Sequence, residues 1–135
     1  MPENGFPHAL LILSSNTLEG VDRSAFNSWY NQIHVPDLLT IEEIECARRY
    51  RLTGVRMLPG VIQEPQFEYV AIYKLKANSE ADLESIVRKI HELGAKGLSA
   101  GPFDFSRTSA SLVLSVSDTL EADPGYVPSY VQPRP

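Results

Sequence analysis

The sequence predicts one α+β domain built from six elements in the order β-α-β-β-α-β. Four short segments have the alternation or the apolar run of β-strands, and two further segments carry apolar residues at helical spacing. The length of 135 residues is that of one domain, and a hydrophobic fraction of 43% is enough to bury a core. This order of elements is that of the ferredoxin-like arrangement, in which two helices cover one face of a four-stranded antiparallel sheet.

Charge and composition exclude several classes of protein. The net charge is −5, which argues against nucleic acid as a partner because phosphate binding needs an excess of Lys and Arg. The single cysteine, Cys46, excludes an internal disulfide framework and a cysteine-rich zinc module. The apolar stretch Ala9 to Leu13 is too short for a secretory signal, and no apolar run is long enough to span a membrane. We therefore expect a cytoplasmic protein with no membrane partner.

The first two elements are a strand and an aromatic helix. His8 to Ser15 contains five consecutive apolar residues, so we expect a strand that is buried on both faces. Asp22 can cap a helix that begins at Arg23. Pro36 should end or kink this helix near His34. One face of this helix is aromatic and apolar, because the residues that follow at helical spacing are Phe26, Trp29, Tyr30, Ile33 and Asp37.

Two alternating segments predict the second and third strands. Glu43 to Thr53 and Gln66 to Lys76 both alternate with period two, and Gly54 to Pro65 connects them as an irregular loop. One face of the second strand should carry Ile44, Cys46, Arg48, Tyr50 and Leu52. One face of the third should carry Phe67, Tyr69, Ala71, Tyr73 and Leu75.

The remaining elements are a helix, a strand and a proline-rich arm. Ser79 and Asp82 have the spacing of a capping box, and the helix that follows should end at Gly94 or Gly97. Thr108 to Val116 alternates as the last strand. The chain thus divides into a domain over residues 1–117 and an arm over residues 118–135, which is either extended or a disordered tail.

The first strand also bears on assembly. Leu10 to Leu13 leave it no polar face, although only one face of the sheet is covered by helices. A second copy of the same sheet is the simplest cover, since two-fold symmetry makes one patch self-complementary. We therefore expect a homodimer.

His34 is the leading candidate for chemistry. It lies where the aromatic helix ends, beside Tyr30, and histidine exchanges protons near neutral pH. We expect it at the rim of the fold, where its removal costs no more than about 1 kcal/mol. The alternative is a structural histidine that donates to a backbone carbonyl.

Tyrosines and arginines complete the candidate site. Tyr69 and Tyr73 share a strand face toward which Tyr30 is expected to look, either as core aromatics or as donors to an oxyanion. Arg48 and Arg49 lie on opposite faces of the second strand, so we expect one of them to point into a given pocket. A buried arginine there pairs with a structural carboxylate or with an acidic ligand.

Other chemistries have little support. Gly97 to Gly101 matches the nucleophile-elbow pattern G-x-S-x-G, but it follows a helix, and no histidine lies beyond His91 to complete a Ser-Asp-His order. His34 and Asp37 are interrupted by Pro36 and lack a third metal ligand. No glycine-rich phosphate loop follows a strand. We expect neither a metal nor a cofactor.

A family resemblance adds to this interpretation. The segment Phe26 to Leu39 contains W-Y-x-x-x-H-x-P-D, and Ala47 to Tyr50 reads A-R-R-Y one strand later. Together they resemble the dimeric α+β-barrel superfamily, and most of all its EthD-like and stress-responsive barrel proteins. Element order agrees over about residues 8 to 117. The resemblance implies a dimer, a pocket between sheet and helices, and His34 as acid or base there; the arm from Asp118 lies outside the usual pattern, as a lid or partner clasp.

These observations predict a cofactor-free proton-transfer enzyme of the cyclase, decarboxylase or isomerase type. Its substrate would be a small oxygenated aromatic or polyketide-like acid of secondary metabolism. His34 would be the base, oriented by Asp37, with Tyr69 or Tyr73 donating to the oxyanion and Arg48 anchoring the carboxylate. The other expected binding residues are Trp29, Tyr30, Arg49, Tyr50 and His8. The alternative is a non-catalytic ligand-binding or scaffold dimer of the same fold, in which His34 is structural.

Overall fold

The computed structural model of the chain describes residues 5–98, 101–102 and 104–131. Four strands form one antiparallel sheet in the order β2-β3-β1-β4. The strands are β1 (Ala9–Ser15), β2 (Ile44–Arg51), β3 (Tyr69–Leu75) and β4 (Ser109–Leu114). The helical segments are α1 (Arg23–Trp29), a π-helical turn (Tyr30–His34), α2 (Val35–Leu38) and α3 (Glu80–Ala95), with short 3-10 turns at Phe105–Arg107 and Ser129–Val131. The predicted α+β, ferredoxin-like fold is confirmed.

The core lies between the sheet and the helices. On β3 the residues alternate strictly, and Tyr69, Ala71, Tyr73 and Leu75 are buried against the helices. Strand β1 contributes Ala9 and Leu11 to the same face, where they pair with Leu75 and Tyr73. The period-two pattern therefore grouped the buried residues of β3 on one face correctly.

The first helix continues past His34, so of the two outcomes that Pro36 predicted, an end or a kink, the end is wrong. Asp22 caps α1 by accepting from the amide of Ala25, and the helix then continues through the π-helical turn and α2. In the π turn the amide of Val35 donates to the carbonyl of Tyr30, five residues back. In a regular α-helix the ring of Pro36 would clash with the carbonyl four residues earlier, and a wider turn ahead of the proline relieves this clash.

The π turn also decides which residues of the first helix are buried. In a regular α-helix, positions four residues apart drift round the axis by about 40° per step. The π turn contains more residues per turn and so offsets this rotation. Residues that are four positions apart therefore stay on one face of the helix. The buried residues of the first helix are Phe26, Tyr30, His34 and Leu38. Ile33, which was expected on this face, is 49% exposed.

A β-bulge corrects the predicted face of β2 at its start. Ile44 pairs with Leu75, whereas Cys46 pairs with Lys74, so one extra residue separates the two pairs. Ile44 therefore turns inward and is buried, while Cys46 stays on the open face of the sheet. The alternation of residues in the sequence could not reveal the bulge, because the residues after the extra one still alternate with period two.

Polar contacts fix α3 and the long connections. Ser79 accepts from the amide of Asp82, and an ion pair joins Lys89 to Glu43 at the entry of β2. Buried Asn16 donates to the carbonyls of Gln66 and Arg107, which holds the ends of two connections at one edge of the core. No helix among the described residues is long and apolar enough to cross a membrane.

Candidate functional site

A cleft of about 550 Å³ opens between the first helix and the edge strand β2; we call it the arginine cleft. Its lining residues are Asn27, Asn31, Val35, Ala47, Arg48, Arg49, Tyr50, Arg51 and Tyr69. Three of these are arginines, and among the described residues that line the cleft there is no Asp, Glu or His. In a chain of net charge −5 this is a local reversal of sign. The cleft is therefore suited to an anion.

Arg49 forms the inner wall of this cleft. Its guanidinium carbon lies 4.1 Å from the ring centre of Tyr30, 5.2 Å from that of Tyr69 and 5.5 Å from that of Phe26. The faces of aromatic rings attract a cation, and here they surround it on the side of the core. Its Nε and Nη2 are enclosed, and the described part of the chain offers them no hydrogen-bond acceptor. Burial lowers the pKa of Arg49, although an arginine stays charged at neutral pH.

Two asparagines one turn apart on the first helix orient the polar groups of the cleft. Asn31 accepts through Oδ1 from Nη1 of Arg49 at 2.9 Å, which leaves its amide nitrogen as a donor. Asn27 donates through Nδ2 to the hydroxyl of Tyr69 at 3.3 Å. Since that hydroxyl accepts from Asn27, its own hydrogen can be donated to an acceptor in the cleft.

Tyr30 and Tyr73 lie behind Arg49 in the core rather than in the cleft. Both are almost fully buried, and their side chains interact. Burial raises the pKa of Tyr73, and the neighbouring hydroxyl of Tyr30 raises it further. Burial also raises the pKa of Tyr30, against smaller opposing effects of Tyr73 and Arg49. Both hydroxyls therefore stay protonated at neutral pH, and neither residue is among those that line the arginine cleft.

His34 does not lie at the rim of the fold. Its side chain is enclosed, with the residue only 6% exposed, and its ring stacks on Trp29 at 4.7 Å between centroids. It also meets Tyr30 edge-on at 5.0 Å. The four-residue spacing of the π-containing helix turns it inward, and it is absent from the lining of the arginine cleft. Its catalytic role remains a prediction, but its expected position was wrong.

Trp29 links this histidine to the loop after α3. A Cβ at Gly101 would overlap the indole of Trp29, so only glycine fits at this position, where φ is also +66°. Gly101 closes the G-x-S-x-G pattern, whose Ser99 and Ala100 lie outside the described residues. Gly101 thus makes a packing contact, while the amides of Gly97 and Leu98 donate to the carbonyls of Gly94 and Leu93 at the end of α3.

The remaining candidates are dispersed. Arg48 lies on the open face of the sheet, 5.8 Å from the ring centre of Tyr50, and is one of the residues that line the cleft. Arg49, not Arg48, therefore occupies the inner position expected of the carboxylate anchor. His8 lies at the start of β1, exposed, where Nδ1 is 3.0 Å from Oγ of Ser115. Asp37 is partly exposed in α2; its orienting role stays a prediction.

Sequence reasoning missed Asn27, Asn31 and Arg51 as site residues. A signal was present, because the two asparagines are four residues apart and so share one face of a helix. Arg51 follows Arg49 on the helix-facing side of β2. The sequence could not show that the side of the helix with the two asparagines lies over the side of β2 that carries Arg49 and Arg51.

Comparisons with known proteins support the fold. Neither the protein-family models nor the curated proteins match the sequence. Among solved structures, the chain is similar to an ethyl tert-butyl ether D (EthD) family protein from Bacillus halodurans C-125. The identity is 16% and the TM-score 0.52, over 79% of this chain and 97% of the other. The expected EthD-like α+β fold is thereby confirmed, as a fold.

The buried tyrosines predict a pH dependence of stability. The folded-state pKa of Tyr73 lies above its unfolded value of about 10, so the stability it contributes is complete below that pH and is lost as the pH rises further. We expect Tyr73→Phe to lose melting temperature less steeply above pH 10 than the unaltered protein. Exposed Tyr50→Phe is the matched control and should follow the parent. Parallel curves for Tyr73→Phe and parent would contradict this.

The enclosed His34 predicts a structural cost. His34→Ala removes a ring that packs on Trp29 and Tyr30, and we expect a loss of about 2 kcal/mol or more in the free energy of unfolding. Urea denaturation measures this. His91→Ala, at an exposed position on α3, should change stability by less than about 0.5 kcal/mol. Equal stabilities of the two variants would show that the ring contacts contribute nothing.

Proposed function

We propose that the protein is a cofactor-free enzyme that binds a small oxygenated aromatic acid in the arginine cleft and transfers a proton on it. The observation that carries this proposal is the convergence of Arg49 and Tyr69 on one cleft whose described lining holds no carboxylate. Convergent polar groups in an open cleft are typical of a site that positions a small molecule. The likeness to an EthD family protein supports the fold on which this site is built.

The anion would bind where donors converge. Nη1 of Arg49 and the amide nitrogen of Asn31 can both donate to one carboxylate, because Asn31 already accepts from Arg49 through its oxygen. The ring faces of Tyr30, Tyr69 and Phe26 hold the guanidinium in place. An aromatic acid would then extend over the apolar side chains Val35 and Ala47 that line the same cleft.

Tyr69 would act as the proton donor. Its hydroxyl, oriented by Asn27, can donate to a substrate carbonyl as negative charge develops on that oxygen. Cyclisation, decarboxylation and isomerisation of such acids share an enolate, whose oxygen Tyr69 would stabilise in all three reaction types. In α-proton exchange the proton would pass to solvent in the open cleft, because no described lining residue is a base. In this proposal His34 packs against the rings of Trp29 and Tyr30 and so supports Tyr30 next to Arg49. The effect of His34→Ala on turnover decides whether His34 also transfers a proton.

We also propose that two copies assemble through the open face of the sheet. The open side of β1 carries Leu10 and Ile12, which pair with Val113 and Ile72 on neighbouring strands. These side chains are only partly buried in one chain. A second sheet packed on this face would remove them from water.

A second candidate function is ligand binding without chemistry. The observation in its favour is that the described residues lining the cleft include no histidine or carboxylate to accept a proton. Both functions need Arg49, but only the enzyme needs the hydroxyl of Tyr69. Substitution of these two residues therefore separates them.

The test uses two probes, salicylate for binding and benzoylacetate for chemistry. Calorimetric titration with salicylate should show binding that Arg49→Met weakens at least tenfold, while Arg88→Met, an exposed arginine on α3, binds as the parent does. NMR in D2O then follows exchange of the α-protons of benzoylacetate. We expect Tyr69→Phe to bind salicylate normally and to slow exchange about a hundredfold.

Each outcome decides between the candidates. If the parent protein binds salicylate but does not accelerate exchange of the α-protons of benzoylacetate, the enzyme proposal is overturned and the ligand-binding function stands. Equal affinity in Arg49→Met and the parent would overturn the arginine cleft as the site. If His34→Ala loses the exchange activity even after correction for the fraction of folded protein, His34 takes part in proton transfer.

A further inference from the structure

The C-terminal arm, defined here as residues 118–131, projects from the fold. It follows β4 and is anchored at its start, where Oγ1 of Thr119 accepts from the amide of Phe6. From Ser115 to Val131 every residue except Pro128 is exposed, and Leu120 and Tyr130 are each 85% exposed. The arm thus keeps apolar and aromatic side chains outside the core of its own chain.

The charge of the arm is opposite to that of the arginine cleft. Over residues 118–131 the arm holds Asp118, Glu121 and Asp123 and no basic residue, and Arg134 follows in the sequence beyond the described residues. The cleft presents Arg48 and Arg51 at its exposed rim, and no acidic residue of the described chain lines it. Opposite charges of this kind guide one surface to another and fix their alignment. The arm contains a turn in which the amide of Tyr126 donates to the carbonyl of Asp123, and a 3-10 turn over Ser129–Val131. Its prolines restrict the backbone, which reduces the conformational entropy lost on docking.

Symmetry determines which copy can supply the arm. In one sheet β4 and β2 are opposite edges, three strand spacings or about 14 Å apart. If two sheets pack face to face about an axis parallel to the strands, β4 of one copy lies over β2 of the other, at a sheet separation of about 10 Å. Residues 118–123 span about 19 Å when extended, enough to cross this gap, and beyond them the arm turns at Asp123–Tyr126 and again at Ser129–Val131.

We propose that the arm of one copy lies along β2 of a second copy and closes the arginine cleft there. Its acidic residues contact Arg48 and Arg51 at the rim, while Arg49 stays inside for the substrate. The site is then complete only in the dimer, because each chain supplies the cover of its partner's cleft. This inference rests on the dimer proposed above.

Cys46 allows a direct test. It is the single cysteine of the sequence, it is exposed in the single chain, and it lies on the open face of β2 two residues before Arg48. In the proposed dimer this part of β2 lies opposite the partner's β4, from which the partner's arm leaves. Cysteine is introduced singly at Leu120, Ala122 or Tyr126 in a chain that carries Cys46→Ser. Each such chain is mixed with a chain that has Cys46 and an unaltered arm, and the mixture is oxidised. A disulfide between Cys46 and the arm can then form only between chains.

We expect at least one arm position to give a covalent species of twice the chain mass on a non-reducing gel. Neutralising the arm (Asp118→Asn, Glu121→Gln and Asp123→Asn together) should lower its yield several-fold, as should high salt. The matched control, Glu84→Gln with Glu92→Gln on the exposed side of α3, should leave the yield unchanged. A yield insensitive to arm charge would overturn the pairing with the arginines.

Sedimentation of the same unoxidised samples separates failure of this inference from failure of the dimer. A dimer that gives no disulfide at any of the three arm positions overturns the docking of the arm and leaves the dimer standing. A monomer at micromolar concentration overturns both. A disulfide that forms only within one chain, when Cys46 and the arm cysteine are combined, shows that the arm folds back on its own sheet.

Discussion

The arrangement of the site depends on an arginine placed between a helix and a sheet. Arg49 lies on the helix-facing side of β2, where burial of a charge costs free energy unless other groups compensate. The compensation comes from the faces of three aromatic rings and one asparagine oxygen, and no carboxylate of the described chain contributes. The positive charge is therefore held in place but not neutralised, and it remains available to an anion in the cleft.

The first helix supplies what this arginine needs. The π-helical turn keeps Phe26 and Tyr30 on the core side, where they flank the guanidinium, and turns His34 inward behind them. The adjacent side of the same helix presents Asn27 and Asn31 to the cleft. One irregularity in one helix thus sets both the ring cluster and the polar wall. π turns inside α-helices are found frequently at functional sites, which agrees with this placement.

The fold was predictable from the sequence because its signals can each be recognised within a short stretch of residues. These signals are the period-two strands, the cap at Asp22 and a helix with an apolar face. The failures are of a different kind. The bulge after Ile44 and the π turn before Val35 each add one residue to a regular element and so change which side chains face inward. That is why Ile44 and His34 were misplaced. The choice between Arg48 and Arg49 depends on which face of β2 the helix covers, and this is a tertiary property.

A crystal structure of the protein with salicylate tests the central claim most directly, namely that Arg49 is the anion-binding group of the cleft. The account predicts the salicylate carboxylate within about 3 Å of Nη1 of Arg49 and of the amide nitrogen of Asn31, with the aromatic ring directed along Val35 toward Tyr69. Salicylate bound elsewhere on the chain would contradict it. So would an Arg49 guanidinium that pairs with a protein carboxylate in the presence of the ligand.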